Sequence, residues 1–198
     1  MTTEAAAAAV RPRVEGHREQ EILDAALQVL ADVGYDRLTM DAVAHRAKAS
    51  KATLYRRWNS KAKLVVEALA RTKGTTEVPD TGALRSDLLT TFCGMGGLTD
   101  HGTTATLGAV LTAASTDPEF AREFRAQVVE PKAQVSREIF EKARERGELR
   151  DDLDIDIVIP ALAGIVLHRV FLFGDKPDPS LIERAVDQII LPAVRPQR

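Results

Sequence analysis

Three residues suited to cap a helix, Thr39, Ser50 and Ser60, fall within 22 positions. A cap side chain accepts a hydrogen bond from a backbone N–H that the first helical turn leaves unpaired, so each marks a helix start. Starts this close together leave room only for short helices joined by tight turns, and the spacing predicts them over 39–47, 51–58 and 60–72. Leu38 and Val43 add a hydrophobic staple across the first start. Upstream, from about Glu15, Ile22, Ala25, Ala26, Val29 and Leu30 recur at helical spacing, and Gly34 follows as a C-terminal stop.

The same period continues downstream and predicts helices over about 82–96, 103–115, 117–146, 154–173 and 178–193. Asp117-Pro118 opens the third of these in cap-then-proline order, and Pro131 is expected to kink or split it near Val129. No stretch alternates in polarity as a strand would, so the fold class is all-α, with about nine helices. Residues 1–14, an alanine run followed by Arg-Pro-Arg, read as a flexible N-terminal arm. Lys73 to Thr81 reads as a linker, which divides the rest into residues 15–73 and 74–198.

Charge shows what total composition conceals. The 198 residues carry 27 Lys+Arg and 29 Asp+Glu, a net of -2, which by itself argues against a polyanionic partner. Residues 11–73, however, hold 13 basic and 8 acidic residues, a net of +5, and residues 74–198 hold 14 and 20, a net of -6. Glu4 supplies the remaining acid. Within 46–73, nine basic residues face one acid, Glu67. A basic block of this kind is the electrostatic footprint expected of a nucleic-acid-binding surface.

Several function classes drop out. With 44% hydrophobic and 28% charged residues the chain is too apolar for a disordered protein. Cys93 is the single cysteine, so neither an intrachain disulfide nor a thiolate zinc site is available. No signal peptide is expected, and no uninterrupted apolar run reaches the roughly 18 residues of a membrane helix. A cytoplasmic protein without a membrane partner is the expectation. There is no G-x-S-x-G elbow, P-loop or H-E-x-x-H, and Gly94, Gly96 and Gly97 follow a helix rather than a strand. His17, His45, His101 and His168 lack metal-ligand pairing. No catalytic residue, metal or cofactor is expected.

The helices over 39–47 and 51–58, with Lys48, Ala49 and Ser50 between them, match a helix-turn-helix in element and turn length. The second helix of that motif enters the major groove, led by its N-terminal residues. Here it presents Lys51, Thr53, Tyr55 and Arg56, while Leu54 and Trp58, four apart, share a face that packs inward. Lys and Arg donate to guanine edges or phosphates, a Thr methyl touches thymine, and the Tyr55 hydroxyl suits a phosphate oxygen. Lys61 lies in the first turn of the next helix, where backbone N–H groups also favour phosphate. Lys48 can add a phosphate contact, and Ser50 caps the reading helix. Arg46 has two readings, a DNA backbone contact or an intradomain ion pair. Arg57 reads as solvated or as a phosphate-rim residue. Arg11 and Arg13 suit either a minor-groove arm or a disordered one.

The stretch Gly34-Tyr35-Asp36-Arg37-Leu38-Thr39-Met40-Asp41-Ala42-Val43-Ala44, then Ala49-Ser50-Lys51-Ala52-Thr53-Leu54-Tyr55-Arg56-Arg57-Trp58 and Ser60-Lys61, closely resembles the TetR (tetracycline-repressor) family of bacterial regulators. The motif resemblance covers about residues 17–73; beyond that only the overall plan is similar, a helical ligand-binding and dimerisation domain. It implies a homodimeric regulator, most often a repressor, that binds double-stranded operator DNA and is released by a small-molecule effector. It also implies phosphate contacts at Thr39, Tyr55 and Lys61, and base approach at Lys51, Thr53 and Arg56. Many relatives have glycine where this chain has Lys48, and a lysine held there at positive φ would cost about 1 kcal/mol. Many also have valine at Ala49. A dimeric small-molecule binder whose helix-turn-helix no longer reads DNA is the alternative reading.

All six phenylalanines lie after residue 91. Phe92, Met95, Val110, Phe124, Val128 and His168 supply the apolar lining with a few polar groups that an effector pocket needs, although a filled core would use the same residues. From Ile157 through Leu167 no charged side chain appears on any face, so the helix over 154–173 must be buried on both sides. One side suits the domain core and the other a second copy of the chain, along Ile159, Ala161, Gly164 and Ile165. Ile182 and Ile189 of the last helix would complete a four-helix dimer interface.

Overall fold

The computed structural model describes residues 12–71, 77–93, 101–175 and 178–196, and every regular element among them is helical. In chain order these are α1 (Pro12–Arg37), α2 (Met40–Arg46), α3 (Lys51–Arg57), α4 (Lys61–Arg71), α5 (Leu84–Cys93), α6 (His101–Thr116), α7 (Pro118–Phe124), α8 (Glu130–Glu145), α9 (Ile155–Phe173), α10 (Pro179–Ala185) and α11 (Leu191–Val194). α7 continues into α8 through a π-type turn, Arg125–Val129, and α10 into α11 through another, Val186–Ile190. The described helices therefore form nine rods. α1 begins at Pro12, three residues ahead of the expected start; residues 1–11 of the expected arm lie outside the described residues.

The starts are held by the residues that announce them. Thr39 Oγ1 accepts from Ala42 N at 3.1 Å, Ser50 Oγ from Thr53 N at 3.1 Å and Ser60 Oγ from Lys63 N at 3.3 Å. Asp117 Oδ1 accepts from Glu119 N and Phe120 N. Gly34, at φ 75°, breaks α1 where a stop was expected, and the chain makes one further turn before α2. Lys48 has φ 50°, so the glycine position of the turn between α2 and α3 is filled by a residue with a Cβ. Arg18 Nη2 donates to its carbonyl at 2.6 Å, one of the contacts that hold this strained residue in place.

Both π-type turns precede a proline. Glu130 N bonds to Arg125 O and Leu191 N to Val186 O, five residues back, with Pro131 and Pro192 next in the chain. A proline has no N–H to offer the carbonyl four residues earlier, and its ring pushes that carbonyl away, so the turn widens instead of breaking. Pro131 thus loosens the rod near Val129 without splitting it.

The buried side chains form two cores. The first joins α1–α4 with Val110 and Ala113 of α6, Phe120 of α7 and Val128. The second joins α5 and α8–α11 around Leu84, Leu88, Ile139, Phe140, Leu162, Val166, Ile182 and Val186. The cores do not follow the expected chain division at residues 73 and 74, because α6 and α7 lie beyond it and share the first. In the second core, fully buried Asp87 accepts from Thr81 N, Thr81 Oγ1 and Arg146 Nη2, and Glu148 accepts from Leu84 N at the start of α5.

At the junction, Tyr35 follows the break in α1 and reaches across to α7. Its hydroxyl donates to Asp117 Oδ2 at 2.7 Å, and its ring meets Phe120 edge-on at 4.8 Å. Burial, then the Asp117 carboxylate, pushes the phenol far above its ordinary value of 10. The Tyr35 hydrogen bond holds Asp117 below the usual carboxylate range.

One sequence expectation needs correction. Ile182, assigned to a dimer surface, is fully buried in the chain's own second core. The widened turn keeps Ile182, Val186, Ile190 and Val194, four apart, on the inner face, which leaves Ile189 outward and exposed. α9 is also long and apolar enough, by length and composition, to cross a membrane, because only Asp156 and Arg169 interrupt it.

Phe120→Ala is expected to lower the unfolding free energy by about 3–5 kcal/mol, the cost of emptying a buried aromatic site. Denaturation followed by the fluorescence of Trp58, the sole tryptophan and part of the same core, measures it. Because the folded-state pKa of Tyr35 is raised, its contribution is complete below the ordinary phenol value and declines as pH rises past it. The stability gap between wild type and Tyr35→Phe should therefore narrow between pH 9 and pH 11, roughly the span around a free phenol's titration; a constant gap in thermal melts contradicts this.

Candidate nucleic-acid interface

α2, the turn and α3 are each too short to hold a position alone, and they are fixed by what lies beneath them. Leu54 and Trp58 are buried on the inner face of α3, as their four-residue spacing predicts. Trp58 Nε1 donates to Glu67 Oε2 of α4 at 2.7 Å. Arg57, expected to be solvated or a phosphate-rim residue, is exposed but also pairs with Glu19 of α1 at 3.0 Å and Glu67 at 2.9 Å, and its guanidinium lies 5.2 Å from the Trp58 ring centroid. Glu67 also receives Arg71 at 2.7 Å. One half-buried carboxylate thus binds the end of α3 to α4. Sequence reasoning missed this role, although the signal was present: Glu67 is the one acid among nine basic residues in 46–73.

The outer face carries the residues expected to touch DNA. Thr39, Lys48, Ser50, Lys51, Tyr55 and Arg56 are exposed; Tyr55, at 52% exposure, is an aromatic with no structural reason to face solvent. Thr53 is half-buried and shares its hydroxyl with Ser50 Oγ at 2.8 Å. Lys51 pairs with Asp41. Arg46 pairs with Asp32 of α1 at 2.7 Å, which realises the ion-pair reading of that residue. Such exposed pairs are worth about 0–1 kcal/mol, less than a charge-assisted bond to phosphate, so both cations can exchange partners. Lys48 and Arg56 make no ion pair among the described residues.

Lys61 is placed differently from the others. It is half-buried, its Nζ donates to the Tyr35 carbonyl at 3.0 Å, and it lies 4.2 Å from the Tyr35 ring centroid. Only part of its three-donor capacity remains for a phosphate.

The six expected pocket residues do not converge. Val110, Phe124 and Val128 belong to the first core, Phe92 packs against the second, and Met95 lies outside the described residues. His168 is exposed, its ring 5.2 Å from that of Phe173. Two open surface grooves, one along α1 and the α2–α3 turn and one between the end of α1 and α6, include none of the six. On the expected partner face, Ile159, Ala161 and Ile165 are half-buried, whereas Gly164 and Ile189 are exposed.

Residues 22–68 match the family described as "Bacterial regulatory proteins, tetR family", and residues 78–189 match "Tetracyclin repressor-like, C-terminal domain". The chain is 36% identical over 182 residues to the DNA-binding transcriptional repressor TetR of Mycobacteroides abscessus, covering 90% of this chain and 95% of the relative. It is similar to the solved structure of the TetR family transcription regulator SCO0332, with 29% identity, a TM-score of 0.67, and coverage of 91% and 100% of the two chains. FadR of Bacillus subtilis, solved in complex with stearoyl-CoA, shares the fold at 15% identity and a TM-score of 0.71, covering 86% of this chain and 96% of its own. These matches span both halves, and the family consists of regulators rather than enzymes. The chain belongs to the TetR family of bacterial transcriptional regulators, and α2 and α3 are its DNA-binding helix-turn-helix.

Proposed function

We propose that two copies of this chain pair along α9, bind a pseudopalindromic operator as a repressor, and are released by a small molecule. The observation that carries the reading is that α9, charge-free from Ile157 to Leu167, fully buries only Ile155, Leu162 and Val166 within its own chain. Leu162 and Val166 face the second core, and Ile157, Pro160, Gly164 and His168, spaced three or four apart, form the uncovered stripe. Ile157 and Leu172 are 71% and 73% exposed. A Cβ added at Gly164 would meet nothing within 4 Å, so a partner helix can approach there. A symmetric pair of such stripes buries both, and Ile189 extends the surface onto the last rod.

Two copies present two α3 helices, which suits half-sites separated by one helical turn of DNA, about 34–36 Å, or a multiple. The repressor reading is supported by the name of the Mycobacteroides relative, and the effector reading by the ligand in FadR. A DNA-binding regulator of this kind works in the cytoplasm. We seat the effector at the boundary between the two cores. There α9 already touches α6, since Phe171 lies 3.3 Å from where a Gly108 Cβ would be. Release requires a coupling of only about 1–3 kcal/mol.

Selection from random duplexes at moderate salt should enrich a palindrome; enrichment of no sequence would sink the reading. Ile157→Asp should shift the protein to monomer in sedimentation. Losing an apolar side chain from each half costs roughly 3 kcal/mol in total, about a hundredfold in the dimer constant. An unchanged dimer would place the interface elsewhere.

A further inference from the structure

We propose that Asp117, the cap of α7, is a positioning residue for operator binding, acting through Tyr35 on Lys61. The inference rests on the operator reading above, in which Lys61 meets a phosphate. Its ammonium does not stand free: it is held by the Tyr35 carbonyl at 3.0 Å and over the Tyr35 ring at 4.2 Å, so where Tyr35 goes, Lys61 follows. Tyr35 in turn lies directly after Gly34, whose positive φ ends the regular helix, so α1 does not carry the ring. What fixes the ring is α7: the hydroxyl donates to Asp117 Oδ2 at 2.7 Å and the ring edge packs on Phe120.

Asp117 uses its other oxygen, Oδ1, to accept from Glu119 N and Phe120 N. The same carboxylate therefore sets the first turn of α7 and the place of Tyr35. One residue before Lys61, Ser60 Oγ donates to Glu119 Oε1 at 2.9 Å while capping α4. The N-terminal end of α4 is thus tied to the first turn of α7 directly through Ser60 and, one residue on, indirectly through Lys61 and Tyr35. A shift of α7 relative to α1 breaks or drags both ties and re-aims the ammonium, without any change in the helix-turn-helix itself. This makes the phosphate contact conditional on the position of a helix from the C-terminal half.

The test uses the full-length protein and the duplex recovered by selection, with affinity measured across a salt series. Tyr35→Phe keeps the ring and removes the tie; it should weaken operator binding roughly two- to tenfold, the range carried by one hydrogen bond. Asp117→Asn keeps the cap oxygen but replaces the charged acceptor by an amide that can only donate to the Tyr35 hydroxyl, so it should give a smaller loss in the same direction. Lys61→Met should lower the salt slope by roughly one unit. In the double variant Tyr35→Phe/Lys61→Met, affinity should be no weaker than in Lys61→Met alone, because a merely structural tyrosine would give losses that multiply. Wild-type affinity in both Tyr35→Phe and Asp117→Asn, or multiplied losses in the double variant, overturns the positioning role. If Tyr35→Phe does not fold, Asp117→Asn with and without Lys61→Met gives the same comparison. Wild-type protein that enriches no duplex overturns the operator reading, and the positioning role with it; wild-type binding with unaffected variants overturns the positioning role alone.

Discussion

The four N-terminal helices do not close a core by themselves. α2 and α3 have seven residues each, and α3 buries only Leu54. Helices of that length are unstable in isolation, so their positions come from tertiary packing. α1 and α4 provide most of it, and the remaining face of that pair is covered by Val110, Ala113, Phe120 and Val128, all from the second half of the chain. The DNA-reading surface is therefore mounted on a core that it shares with α6 and α7. A packed core transmits displacement because it has little free volume to absorb it. The division between the two cores does not coincide with the division along the chain.

Much of this was legible in the sequence where the cause is local. Thr39, Ser50, Ser60 and Asp117 cap helices because a short polar side chain before a helical run has one favourable use. Gly34 ends the regular helix and Lys48 takes a positive φ because turn geometry depends on neighbours a few residues away. The π-type turns were only half legible: Pro131 signalled a disturbance, but not that the rod would widen and continue. That widening puts Ile182 and Ile189, seven residues apart, on different faces, which a fixed helical period cannot express. Partners distant in sequence were not legible at all. Glu19 and Glu67 are 38 and 10 residues from Arg57, and Asp117 is 82 from Tyr35; only packing reveals those pairs. The pocket residues were chosen by type, and type does not specify which of two cores a phenylalanine or valine enters.

The charge pattern gains meaning once its partners are known. The basic block contains two kinds of cation. Arg57 and Arg71 converge on half-buried Glu67, which locks α3 to α4, so they are structural. Lys51 and Arg46 pair with exposed carboxylates, and Lys48 and Arg56 have no ion pair among the described residues. Solvent weakens the exposed pairs far more than the half-buried one. The surface available to a polyanion is therefore narrower than the count of nine basic residues suggests, and it runs from the end of α2 over the turn and the exposed face of α3, with half-buried Lys61 at the start of α4. The positive field is focused by what Glu67 withdraws from it.

α9 imposes the remaining constraint. Its stripe from Ile157 to Leu172 is larger in character than the scattered apolar residues that a monomer tolerates on its surface. Exposed ion pairs mark both ends of the helix, Asp156 with Arg137 of α8 and Arg169 with Asp175 just beyond α9, while Leu162 and Val166 hold it against the second core. In the proposed dimer the two second cores become one fixed body, since each contributes its α9. The first cores, each carrying α3, are then the parts left free to move, and they meet the fixed body through contacts such as Phe171 against Gly108. On the proposed reading, a small molecule seated at that boundary would change the angle between the cores, and an angle acting over the length of α1 would become a change in the separation of the two α3 helices. DNA with a fixed helical repeat tolerates little such change, so modest binding energy at the boundary is sufficient to control the operator.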